Sequence, residues 1–513
     1  MKTHILISAF CAALAASCSS QYHSNNDTTI IYEKASKNTQ KNEPSAVDKK
    51  KYGCIKGNCE NGLGEFIYAE GKTYNGYWKN RLPNGKGSMQ WPDGRRDEGD
   101  FENGFFSGNG LRHDNNGAII FKFKGEEIGQ VKFAKQSIAR GLLVGGFYLV
   151  KHNNILGDEA YLIDVGNNGE LVWNKSSSHS KIASLRDAIH VRKNEYIFVG
   201  SSRAGDDNMA RIFYSNGLSE KWSRALSAKN AIAAKIIQVE HGQYMVIGEI
   251  NKDKGDSNLV LSEIDSSGNI KWEKEIRGGG SITVTSLIKS TDGNYILTGK
   301  TEKIPGPIIT NSWVIKVNHA GDIIWNKLYS EEGFEVTSAM ASNDGGIYII
   351  GNQINQKSDK ITNKSGKELV MSFVTPMQSL DTDIFISKLD KEGRVTWEKR
   401  YGEAGKRETL AALVRASNGN LLAVGGQSKV APVSGSVSFD SGLFVAAFGD
   451  KGDMLWKKTF DDKEYGQGIE IIEIEKSCYV VIGDMYKGLY LLKINNDGNL
   501  VGGWQSCGIM RGH

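Results

Sequence analysis

Side chains able to do chemistry are scattered along this chain rather than gathered into a motif. Nine histidines occur without HExxH or a pair at helical spacing, and no serine stands in GxSxG, so zinc-hydrolase and α/β-hydrolase signatures are both missing. The Asp-rich stretches AGDDN (204–208) and KDKGDS (252–257) offer oxygens suited to calcium. They lack the EF-hand spacing and its terminal Glu, and read as solvated turns. Cys54 and Cys59, in CIKGNC, have no second close cysteine pair or nearby His to complete four metal ligands. With Cys478 and Cys507 they form an even set suited to an oxidising compartment. The economical pairing is Cys54 with Cys59 and Cys478 with Cys507, while three pairings are formally open. The expectation is therefore no catalytic residue, no metal and no cofactor.

Composition narrows the partners. The 513 residues carry 63 basic and 59 acidic side chains, a net charge of +4, which leaves no domain with the basic surplus that phosphate neutralisation demands. Nucleic acid is not expected. Sixty glycines against seven prolines, with 39% hydrophobic residues, describe a turn-rich globular chain of short strands.

At the N-terminus, Lys2 precedes an apolar run, Ile5 to Ala16, too short to span a bilayer, and Ser17 stands before Cys18. The run LAASC resembles a bacterial lipoprotein signal, although Ala15 occupies the place three before Cys18 where Leu is usual. Cleavage after Ala15 is the alternative. The resemblance implies a signal peptide at 1–17 and diacylglyceryl and acyl (palmitate) modification of Cys18. It further implies export to the cell envelope as a lipid-anchored membrane protein, at the outer membrane if the host has one, because Ser19 and not Asp follows. Residues 18–51 are polar and aperiodic, a flexible tether spanning on the order of 30 Å.

Two repeat periods organise the remainder. Gly62, Gly85 and Gly108 are 23 residues apart, as are Gly64, Gly87 and Gly110, and Gly71, Gly94 and Gly117. The segments between them, best seen with Tyr68, Glu70, Gly71, Tyr74, Gly76 and Trp78, resemble MORN repeats. Each would be a β-hairpin whose turn glycine needs positive φ and whose aromatics stack on the next copy. This places a MORN sheet at 52–126.

From about residue 130 to 513 the period lengthens to roughly 50 residues. A strand reaching a glycine recurs as YIFVG (196–200), YMVIG (244–248), YILTG (295–299), IYIIG (347–351), LLAVG (421–425) and YVVIG (479–483). A turn and tryptophan follow, ending at Trp173, Trp222, Trp272, Trp325, Trp397 and Trp456. Turn glycines at 169, 217, 268, 321, 393, 452 and 498 count seven units, the first opening near Ser137 and the last without its Trp. Four short strands per unit predict an all-β fold in which the MORN sheet precedes a seven-bladed β-propeller, each Trp wedged between blades. The DxxGxxxW pattern also resembles the tryptophan-docking motif of quinoprotein dehydrogenase propellers and of a non-enzymatic outer-membrane assembly lipoprotein. That likeness implies blade packing and not chemistry.

Insertions break the period at one topological position, at 352–383 and 427–442. MSFVTPM within the first makes Met371, Phe373, Val374 and Met377 the candidates for contact with a protein partner in the envelope. The expected function is a non-catalytic protein-binding scaffold, assembly factor or inhibitor, including immunity to an envelope-targeting toxin. The alternative is a propeller enzyme or glycan-binding lectin with its site at the central channel. A cluster of carboxylates or exposed aromatics at one mouth of the channel would favour the alternative, and a featureless channel with an apolar loop patch the scaffold.

Overall fold

The computed structural model describes the chain from Tyr52 to Val501, apart from internal stretches of which 371–380 and 430–440 are the longest. Residues from Lys51 onward form one compact unit. Every regular element among the described residues is a strand.

The N-terminal strands make an antiparallel meander: Gly53–Gly57, Gly62–Ile67, Thr73–Lys79, Leu82–Gln90, Arg96–Glu102, Phe105–His113 and Ile119–Lys122. Alternation sets its faces, since Tyr74, Gly76 and Trp78 are buried while Asn75, Tyr77 and Lys79 are exposed. Two-residue turns at Asn80-Arg81 and Asn103-Gly104 take positive φ, the mirror-image geometry that matches strand twist. Gly76 and its cross-strand partner Gly87 make room for Tyr74, because a Cβ on either would stand 2.6 or 2.2 Å from its hydroxyl. That ring packs edge-on to Trp78 and Phe101, with centroids 5.1 and 4.9 Å away. Cys54 and Cys59 are joined in a disulfide, as expected from the sequence.

Beyond this sheet the chain builds four-stranded antiparallel units: blade 1 (Ile128–Ser176), blade 2 (Ile182–Lys229), blade 3 (Ala231–Arg277), blade 4 (Ser281–Tyr329), blade 5 (Phe334–Tyr401) and blade 6 (Lys406–Phe460). Blade 7 draws three strands from Gly468–Asn495. Each blade's first strand neighbours the first strand of the next, and that of blade 7 returns to that of blade 1, so a ring closes around a channel. Counted as separate hydrogen-bonded sheets, the ring shows five rather than the seven expected. Blades 5 and 6 merge through a single bridge, Thr382 to Arg407, and the strands of blade 7 belong to the ten-stranded sheet.

That last merger explains the missing fourth strand of the seventh repeat. Ile119–Lys122 pairs with Gly488–Leu491 of blade 7 on one edge and with Gly110–His113 on the other. One short strand thus completes the last blade and joins the MORN sheet to it. Blade 1 begins at Ile128, earlier than the sequence marked, because its glycine strand is written LLVGG (142–146) without the usual tyrosine. Apolar cores fill the spaces between blades. One contains Met245, Ile247 and Leu261 of blade 3 with Val284, Leu287 and Trp313 of blade 4.

Candidate functional site

Every inner strand carries a β-bulge at the same place. The irregularities fall between Val131 and Phe133, Leu185 and Asp187, Ala233 and Lys235, Val284 and Ser286, Val336 and Ser338, Leu410 and Ala412, and Gly468 and Glu470. Opposite each stands a second-strand glycine, those of blades 2 to 7 being the glycines that mark the sequence repeat. Two of them show why. A Cβ on Gly351 or Gly425 would collide with the carbonyl oxygen of Glu335 or Thr409 just before the bulge.

Residues beside each bulge, such as Leu185 and Ala188, are sealed in the blade cores, whereas Lys132, Arg186, Thr285, Thr337 and Ala411, unpaired at their bulges, stay half-buried. Their chemistry is uneven around the ring. Blades 4, 5 and 6 offer Thr285, Thr337 with Ser338, and Ala411. Blades 1, 2, 3 and 7 instead bring Lys132 and Lys135, Arg186 and Asp187, Lys235, and Glu470, with Glu249 contributed by the second strand of blade 3. Farther along the same strands the wall turns apolar at Ile189, Ile237, Ile288, Met340, Val414 and Ile472.

Three carboxylates in this cluster differ in how they are held. Asp187 is saturated: it accepts from Lys135 Nζ at 2.7 Å and from the backbone N–H groups of Ile236 and Ala188, both at 2.9 Å. Lys135 also donates to Ile236 O at 3.2 Å, so this pair ties blades 1, 2 and 3 together. Glu249 accepts from Val284 N–H at 2.7 Å, and burial pushes its carboxyl up against the opposing pull of Arg186, Lys235 and Lys132. Glu470 accepts from Ile471 N–H at a longer 3.2 Å. Burial raises its carboxyl to about 7, with Lys235 and Lys135 opposing and Asp187 adding to the rise. Such a constellation can hold an anionic group and exchange a proton near neutrality. Among the described residues no group of three or more His, Cys, Asp or Glu could hold a metal ion, and no helix is long and apolar enough to cross a membrane.

The tryptophans form a second regular feature. Trp222, Trp272, Trp325, Trp397 and Trp456 each lie against the turn glycine of the following blade: Gly268, Gly321, Gly393, Gly452 and Gly498. A Cβ on Gly321 would stand 2.6 Å from the Trp272 ring. Trp173 is in strand, opposite Asp164, and its side chain lies outside the described residues. Cys478 is buried and disulfide-bonded, while Cys507 lies outside the described residues, as do Cys18, Met371, Phe373, Val374 and Met377. Sequence reasoning missed the channel cluster altogether. Its signal was available as the residue pair opposite each repeat glycine, but those pairs share no motif.

The MORN repeat family model matches residues 74–95 and 98–119. No curated protein matches the chain. Among solved structures, the chain is similar to a puromycin hydrolase (10% identity, TM-score 0.42, covering 73% of this chain and 53% of that one). It is also similar to a Synechocystis apocarotenoid oxygenase mutant (10%, 0.39, 72% and 90%). A third is the Kuenenia stuttgartiensis hydrazine synthase (9%, 0.43, 72% and 97%). The chain spans about half the length of the puromycin hydrolase. These likenesses transfer no activity. The expectation of a non-catalytic protein-binding scaffold is nevertheless corrected. It called for a featureless channel with an apolar loop patch, and the inner strands of blades 1, 2, 3 and 7 instead bring ionisable groups together.

Proposed function

We propose that the protein works through its central channel, binding a small polar ligand at the charged wall of blades 1, 2, 3 and 7. The observation that carries this reading is the gathering of Lys135, Arg186, Lys235, Glu249 and Glu470 from blades 1, 2, 3 and 7 on the inner strands of the ring. At or beside the bulge itself the blades differ, with Arg186, Lys235 and Glu470 on blades 2, 3 and 7 and Thr285, Thr337 and Ala411 on blades 4 to 6. Chemistry at the bound ligand is favoured by Glu470, whose proton is held into the neutral range as a general acid's must be. Thermal-shift titration of the full chain with a panel of small anions, zwitterions, cations and neutral saccharides tests the reading. At least one class should stabilise the wild type and fail to stabilise Lys235→Met. Stabilisation equal in both proteins, or by no class, overturns it.

Lipid attachment at Cys18 and an envelope location belong to the same proposal. The blade-packing Trp motif is equally compatible with exported propellers. Cys18→Ala should move the protein from the membrane fraction to the soluble fraction of its host.

A further inference from the structure

We propose that the face of the MORN sheet opposite Tyr74 and Trp78 is an interface between two copies of this chain, packed face to face about a two-fold axis. Four large apolar side chains stand out from it. Leu63, Tyr77, Leu82 and Phe105 are 57, 49, 45 and 77% exposed, and Phe105 is the barest large hydrophobic among the described residues. They form one patch: Leu63 is the cross-strand partner of Tyr77, and Tyr77 lies beside Gly85, where an added Cβ would stand 3.3 Å from that of the tyrosine. Leu82 comes within 3.5 Å of where a Cβ on Gly104 would be, and Phe105 pairs with Glu102. The other face differs, because Tyr74, Trp78, Met89 and Phe101 bury one another. An open apolar patch of several hundred Å² marks a surface with a partner.

Charge identifies the partner as a second copy. Glu98, Asp100 and Glu102 alternate with the buried Asp97, Gly99 and Phe101 and so line this face along one strand, while Lys79 and Lys86 stand on the two strands before it. Lys86 meets Asp100 at 3.5 Å and Arg96 meets Glu98 at 3.0 Å, whereas Lys79 and Glu102 form no ion pair among the described residues. A row of carboxylates repels anionic lipid and nucleic acid alike. Opposite signs segregated on neighbouring strands suit a surface that meets itself, where one residue touches a second and the second touches the first. Register supplies the geometry. Leu63 and Tyr77 lie on one side of Leu82–Gln90, and Glu102 and Phe105 on the other, at nearly one level, since Gly85 stands beside Tyr77 and pairs with Phe101. A two-fold axis along Leu82–Gln90 sets Leu63 over the partner's Phe105 and Lys79 close to the partner's Glu102, with Gly85 near the axis. Five strands of about seven residues make a face roughly 20 Å square. Its burial in a pair lies close to the lower limit of about 1,000 Å² for a specific interface, which places the dimer in the micromolar range.

Sedimentation equilibrium of the full chain carrying Cys18→Ala, which takes lipid out of the comparison, reads the association from about 1 to 100 μM. A monomer–dimer equilibrium is expected in that range. Phe105→Glu and Leu82→Lys, surface changes whose urea midpoints should match the parent chain, should each weaken it about tenfold or more. Lys79→Glu and Glu102→Lys should each weaken the dimer, and the chain carrying both should regain it. A parent chain that stays monomeric at the highest concentration overturns the proposal, as does a dimer that Phe105→Glu and Leu82→Lys leave intact. Charge variants that leave the dimer unchanged, or whose combination fails to restore it, overturn the two-fold pairing. A monomer that floats with phosphatidylethanolamine–phosphatidylglycerol vesicles, while its Phe105→Glu variant does not, gives the face to a lipid surface and overturns the dimer.

Discussion

Replacing Gly321 by Ala tests how much of the ring's stability lies in the tryptophan-on-glycine contact, because the same blade supplies a matched control. Gly321 and Gly293 both close turns of one kind, with N–H bonds of 3.0 and 3.1 Å to the residue three earlier, and both hold positive φ, at 79° and 85°. They differ in what a Cβ would meet. At Gly293 nothing lies within 4 Å, whereas at Gly321 the Trp272 ring is at 2.6 and 2.7 Å. An alanine at either position carries the left-handed backbone cost of about 1–2 kcal/mol, offset by about 0.4–1 kcal/mol from a less flexible unfolded chain. Gly321→Ala must also displace an indole whose Nε1 donates to Glu263 at 3.1 Å and which packs on the core between blades 3 and 4. Overpacking of that kind costs about 1–3 kcal/mol. Gly293→Ala should therefore lose about 1 kcal/mol and Gly321→Ala about 2–4 kcal/mol, read from urea unfolding followed by tryptophan fluorescence. Equal losses in the two variants would refute the role assigned to the contact.

Other consequences are as specific. Burial and the neighbouring Arg96 hold His113 at about 4, below its ordinary value of 6.5. The folded state therefore binds fewer protons than the unfolded chain between those values, and stability should fall as pH drops from 6.5 to 4. His113→Gln should flatten that slope in urea midpoints measured at pH 4.5 and 7.5. Glu470 has the opposite sign: its raised carboxyl favours the fold below its ordinary pKa, and that contribution is lost as pH rises through about 7. Glu470→Gln should be near wild type in stability at pH 4.5 and more stable at pH 8, by the same midpoints. Arg112 is the bidentate partner of buried Asp97, at 2.6 and 2.7 Å, so Arg112→Met should lose on the order of 2–4 kcal/mol in chemical denaturation, more than the exposed control Lys86→Met. Ile120→Pro should weaken blade 7 and the MORN sheet together, seen as lost hydrogen-exchange protection at both Leu489–Leu491 and Leu111–His113.

Repeat architecture was legible because a turn glycine and the tryptophan packed on it recur from blade to blade, from Trp222 on Gly268 to Trp456 on Gly498. Positive φ and absent Cβ at Gly268, Gly321 and Gly452 leave no other residue type without strain, so their spacing survives in the sequence. Bulge glycines such as Gly200, Gly351 and Gly425 are legible because a Cβ there would collide with the carbonyl oxygen just before the bulge. Ring closure by Ile119–Lys122 was not, since a four-residue strand shared by two sheets has no periodicity of its own and its partner lies more than three hundred residues away. The channel cluster was hidden differently. Lys132, Arg186, Lys235 and Glu470 become neighbours only when blades from both ends of the propeller meet, and each is an ordinary charged residue in its own strand. An expected function built on loop composition therefore gave way to one built on what ring closure assembles.

The channel claim is tested most directly by locating an anion. Crystals of the full chain soaked in selenate at pH 6 should show an anomalous peak inside the ring, within hydrogen-bond reach of Lys235, and Lys235→Met crystals should lack it. Selenate found only on the outer surface, with the channel empty in both proteins, would contradict the account.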